Sequence, residues 1–115
     1  RGLVFIVANC YTPTGTIDFP ERWLADADEA TRQQLVSGTR QRLHRNWALF
    51  ADQFAARPFL SGAEPGALDI LAAVVTKWED TREAMLNARP PFYELLERID
   101  RHPRIAPVLS LHWPL

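Results

Sequence analysis

Three histidines, one cysteine and five glycines are the residues of this 115-residue chain that could bind a metal, act as a nucleophile or cradle a phosphate. His44, His102 and His112 do not have the spacing of metal ligands, and no cysteine pair accompanies them. Structural roles are expected for all three, and no metal. The glycines at 2, 15, 38, 62 and 66 match neither a dinucleotide-binding fingerprint nor a phosphate-binding loop. No serine stands in a G-x-S-x-G elbow. Cys10 is the sole thiol, and its place on an apolar helix reads as inert packing. The chain is therefore expected to carry no catalytic group of its own.

One carboxylate stands out. Asp69 lies within Phe59-Leu-Ser-Gly-Ala-Glu-Pro-Gly-Ala-Leu-Asp-Ile-Leu-Ala-Ala73, a turn that delivers a helix start into apolar surroundings. With Gly66 as N-cap, Asp69 is the third helical residue, placed to accept from the free Gly66 N–H as half of a capping box. A buried helix start leaves backbone N–H groups unpartnered, so the carboxylate reads first as a structural cap.

The elements around it read as helices. Leu3-Val-Phe-Ile-Val-Ala8 could be a strand by propensity, but no second run offers it a partner. It is read as a buried helix continuing to Tyr11 and broken by Thr12-Pro-Thr-Gly15. Asp18 to Asp26 is a connector whose Trp23 must cover something. From Asp28 to about Ala56, Leu35, Leu43, Trp47, Phe50 and Phe54 keep one stripe of a long helix. Arg32, Arg40, Arg42 and Arg45 form its polar side, Asp28 and Glu29 occupy its first turn, and Gly38 invites a bend or close approach. Arg57 to Gly66 is a loop. Ala67 to Trp78 is apolar on nearly every side and is placed at the centre, with Trp47 and Trp78 in the core. Pro90-Pro91 opens a helix with Phe92, Leu95, Leu96 and Ile99 inward, ended by Arg101-His-Pro103 before a short last helix to His112. The expected fold is all-α: one domain, residues 1–115, of about five helices around a buried one.

Composition narrows the partners. Thirteen basic residues against fourteen acidic leave a net charge of −1, without the basic surplus of a general nucleic-acid binder. No apolar run approaches the ~20 residues of a membrane span. A lone cysteine makes no internal disulfide, so a reducing, cytoplasmic setting is the default, and no signal peptide is visible. Starting at Arg1, the chain is expected to be processed, trimmed or a piece of a longer protein.

Phe59-Leu60-x-Gly62, followed by the capped, Asp-bearing apolar helix, closely resembles the C-terminal domain of glutathione transferases. The order of the other elements agrees across essentially all of residues 1–115, and Pro20-Glu-Arg-Trp23 resembles the connector of some bacterial members. Gly66 departs from the family, which usually has Ser or Thr there, so only the Asp69 half of the box survives. The resemblance implies an electrophile-site domain whose thioredoxin-like partner domain, expected ahead of Arg1, binds glutathione and supplies the thiol-activating residue. Alone, the chain is then expected to be inactive; the intact protein would be a homodimer conjugating glutathione to small hydrophobic electrophiles. By position in the family, Asn9, Tyr11 and Thr12 face the cleft between domains, and Trp113 either lines the same pocket or closes the core. Two alternatives remain open: a non-catalytic, transferase-like interaction module, and an independent bundle that binds a small apolar ligand.

Overall fold

The computed structural model describes residues 1–114. Helices follow one another from end to end: α1 (Gly2–Ile6), a π turn (Val7–Tyr11), α2 (Thr12–Asp18), a 3-10 turn (Pro20–Arg22), α3 (Glu29–Gln53), α4 (Ala67–Val75), α5 (Thr81–Ala88), α6 (Pro90–Asp100) and α7 (Ala106–His112). Among the described residues no strand forms; Phe59 and Gly62 make one isolated bridge. Among the described residues the fold is all-α, as expected, with six helices when α1 and α2 are taken as one rod.

That rod corrects the break expected at Thr12–Gly15. The backbone stays right-handed helical through Val7, Tyr11 and Thr12. Pro13 has no N–H for the Asn9 carbonyl four residues back, and the Asn46 Nδ2 from α3 donates to that carbonyl instead, at 2.9 Å. The Thr12 N–H reaches the Val7 carbonyl, five residues back, and the Thr12 hydroxyl donates to it as well at 2.8 Å. A widened turn thus passes the proline without ending the helix.

α3 follows its predicted stripe. Leu43, Trp47 and Phe50 are buried, Leu35 and Phe54 half-buried. Phe50 stacks on Phe54 at 4.6 Å between centroids, and Trp47 on Phe92 of α6 at 5.9 Å. Asp28 is the N-cap, its Oδ1 accepting from the Thr31 N–H at 2.8 Å. Gly38 is exposed, with open space where a Cβ would stand, so the anticipated close approach is absent. Arg32 is not a free surface charge either: it folds back to donate to the Leu24 and Ala25 carbonyls and closes the connector. Trp23 of that connector lies at the edge of Gly15 but remains 55% exposed, covering little.

α4 departs most from expectation. It stops at Val75, buries Asp69, Ala72, Ala73 and Val75, and leaves Ile70 exposed, so it is one-sided rather than enclosed. Where α1 crosses it, a Cβ on Gly2 would stand 2.8 Å from Leu68 Cδ2, so a larger residue there would have to push the Leu68 side chain aside. After α4, Glu79 and Asp80 take left-handed backbone angles (φ 60° and 58°), turning the chain into α5. This helix was missing from the sequence expectation. Its Thr81 and Met85 are buried. Trp78, expected in the core, sits on the outside of this turn, 37% exposed. α6 buries Phe92, Leu95, Leu96 and Ile99 as anticipated.

Candidate functional site

Asp69 has no exposed surface. Its Oδ2 accepts from the Gly66 N–H at 3.0 Å and from the Ser61 N–H at 3.0 Å, and its Oδ1 from the Leu60 N–H at 2.7 Å. One carboxylate therefore serves the helix start and the preceding Phe59–Gly62 turn together. The glycine N-cap also has a steric reason: a Cβ on Gly66 would stand 2.7 Å from Ser61 Oγ. The other end of α4 is tied by Arg82 of α5. Its Nη2 donates to the Ala73 carbonyl at 2.9 Å and its Nε to the buried Thr76 hydroxyl at 2.9 Å. The same guanidinium grips Asp100 of α6 through two bonds, at 2.9 and 3.1 Å, and Lys77 Nζ joins Asp100 at 2.7 Å. Both ends of α4 are thus fixed by charged side chains, which sets where the next turn emerges.

That turn builds a cleft of about 470 Å³ lined by Tyr11, Thr14, Asp18, Lys77, Trp78 and Glu79. Tyr11 and Trp78 meet at 6.2 Å between centroids, tilted by 56°, as an aromatic corner. The Glu79 side chain is only 11% exposed and pairs with Arg40 of α3 at 3.2 Å. The Glu79 carbonyl accepts from His44 Nε2 at 2.7 Å, which fixes the proton on that nitrogen. Burial and the neighbouring Asp18 carboxyl raise the pKa of Glu79 above its ordinary value, against the opposing pull of Arg40. The Lys77 ammonium is taken by Asp100 and lies 5.7 Å from the Trp113 ring centroid.

The sequence-derived positions do not converge. Asn9 and Thr12, three residues apart, share a different groove of about 340 Å³ with Arg42 and Asn46. Asn9 donates its amide to the Phe5 carbonyl at 3.2 Å. Tyr11, about a quarter turn away from Thr12, faces Trp78 instead. Trp113 lies in a third, mostly apolar groove of about 400 Å³ with Ile70, Val74, Ile105 and Val108. Trp78, Glu79 and Asp18 were missed as cleft residues. A helical period carried past Val75 places Trp78 inward, and nothing in the sequence marks the left-handed turn that rotates it out.

No family model matches the chain, and neither curated proteins nor solved structures provide a match.

The remaining chemistry is structural. Burial pushes the Cys10 thiol up to about 12, which removes it as a nucleophile near neutrality. His102 Nδ1 accepts from the Arg104 N–H, leaving Nε2 to donate to Glu64 at 3.0 Å. Among the described residues no group of His, Cys, Asp or Glu could hold a metal, and no helix is long and apolar enough to cross a membrane. What the cleft offers is recognition: two rings to cover an apolar body and carboxyls to fix a polar end.

Proposed function

We propose that this chain is the electrophile-binding helical domain of a glutathione transferase, which in the intact, homodimeric, cytoplasmic protein conjugates glutathione to small hydrophobic electrophiles. The observation that carries the reading is Asp69: buried, third in its helix, and bonded both to the helix start and to the Phe59-Leu60-x-Gly62 turn that precedes it. The order of a long first rod, a longer arginine-bearing α3 and a one-sided capped α4 supports it further.

In this reading the electrophile lies against Tyr11 and Trp78. Glutathione, held mainly by a thioredoxin-like partner domain, supplies the nucleophilic sulfur. Asn9 gives one of its two amide N–H groups to the Phe5 carbonyl and keeps the other, with its Oδ1, for that co-substrate. Asn9 and Thr12 open onto a separate groove, so Tyr11 is the family-placed residue that reaches the electrophile. The chain contributes position rather than activation, since its one thiol is buried.

The test is retention of the intact protein on immobilised glutathione, with conjugation of glutathione to a chloroarene as the activity. Retention and turnover support the reading, and Trp78→Ala should then raise the KM for the chloroarene. Failure of both overturns it.

A non-catalytic interaction module is favoured by a separate observation: Leu3, Val4 and Val7 leave an apolar stripe exposed along the first rod. A reading frame without a thioredoxin-like stretch ahead of Arg1 would select that module.

A further inference from the structure

The cleft has a chemical preference that an apolar electrophile would not use. Its walls are the Tyr11 and Trp78 rings, whose faces attract cations as well as apolar groups. Its polar side is Asp18 and Glu79, carboxyls near enough to hydrogen-bond each other, of which Glu79 is paired with the Arg40 guanidinium. The cation in the lining itself, Lys77, is taken by Asp100 and leans toward Trp113. The position is held by construction: Arg82 and Asp100 anchor the end of α4, and the strained Glu79–Asp80 turn carries Trp78 outward beside the acids.

We propose that the Tyr11–Trp78 cleft takes an aromatic or alkyl ligand bearing a protonated amine, its apolar body on the two rings and its ammonium against the Asp18–Glu79 carboxyl pair. A cation there gives the two facing carboxyls a second counter-charge beside that of Arg40, and the rings add a further attraction to the same charge. This rests on the cleft being the ligand pocket of the reading above, but not on glutathione being the co-substrate.

The experiment titrates the 115-residue chain with 2-phenylethylamine, 3-phenylpropan-1-ol and 3-phenylpropionate near neutral pH, following the Trp78 indole resonance, assigned with Trp78→Phe. The amine is expected to bind about tenfold tighter than the alcohol, the effect of one charge-assisted contact, and the carboxylate most weakly. Asp18→Asn, an exposed substitution that should leave the fold intact, is expected to bring the amine within about threefold of the alcohol without weakening the alcohol. Equal binding of amine and alcohol to the parent chain overturns the inference and leaves the transferase reading standing. So does an amine preference that survives Asp18→Asn and Glu79→Gln together. If none of the probes moves the Trp78 resonance, the inference falls, while glutathione retention and chloroarene turnover still decide the transferase reading. Loss of glutathione retention alone, with the amine preference intact, overturns only the transferase reading.

Discussion

Asp69 and Glu79 are both carboxyls at the ends of α4, and their surroundings push them toward opposite uses. Asp69 is surrounded by donors: as a helix cap alone its removal would cost ~1–2 kcal/mol. Because it also holds the Leu60 and Ser61 N–H groups, Asp69→Ala should cost about 3–5 kcal/mol, three backbone donors losing a charged acceptor at once. Asp69→Asn keeps one oxygen and should lose roughly half as much. Urea unfolding measures both, and a loss no larger than that of an ordinary cap would mean that the turn's bonds contribute nothing. Glu79 faces Asp18 from the first rod, Arg40 and His44 from α3, and Lys77 on its own turn, and burial and Asp18 hold its pKa above the ordinary 4.5. The folded chain therefore binds this proton more tightly than the unfolded one. The associated stabilisation is complete below 4.5 and is lost as pH rises through the raised value. Glu79→Gln has no such titration, so the stability of the parent relative to this variant should fall over a range that begins at about pH 4.5 and extends upward. A difference that is flat across that range, read by thermal unfolding at several pH values, would refute the assignment.

At the scale of elements, the first rod shows how tertiary contacts override a local signal. Thr-Pro-Thr-Gly is a helix stop on local grounds, and the break predicted there was reasonable chemistry. It fails because Asn46, thirty-seven residues away, meets the one carbonyl that Pro13 leaves open. Asn46→Ala should therefore cost ~1 kcal/mol in the parent chain and close to nothing in a Pro13→Ala background, where a restored N–H can serve Asn9 itself. A double-mutant cycle by denaturant unfolding would detect that coupling, and additive losses would mean that the asparagine acts elsewhere. The elements that were legible share a feature: their periodic residues decide their own burial. α3 and α6 follow their stripes closely, with Trp47, Phe50, Phe92 and Leu96 where spacing put them. α5 was invisible because its start depends on two left-handed residues, Glu79 and Asp80, which carry no glycine to announce the turn. Trp78 was misplaced for the same reason.

Across the whole molecule, the ends of α4 organise everything else, and only one of them could be read in advance. The N-terminal tie joins groups nine residues apart or fewer, so a cap pattern announces it. The C-terminal tie joins Arg82 to Ala73, Thr76 and Asp100 across three helices, and each of those residues taken alone reads as a solvated charge or a packed side chain. The candidate cleft inherits this asymmetry. Tyr11 was named from the sequence; Asp18 ends the same rod, whereas Glu79 and the second ring arrive through the turn beyond the Arg82 junction. Arg82→Ala would strand Asp100 with Lys77 as its remaining partner, take the donor from the Thr76 hydroxyl and leave the Ala73 carbonyl to that hydroxyl, 3.2 Å away. Removing one member of such a partly buried ion pair costs about 3–5 kcal/mol, reduced here because Lys77 stays in place. Because the junction links α4, α5 and α6, the loss should appear as a lower urea midpoint with unchanged steepness, the mark of one cooperative unit. If the transition instead broadens or splits, α5 and α6 unfold apart from α4, and Trp78 would then be presented by a segment with its own stability. The same variant should weaken amine binding at the cleft even though Arg82 does not line it, because the turn bearing Trp78 and Glu79 would no longer be held beside Tyr11.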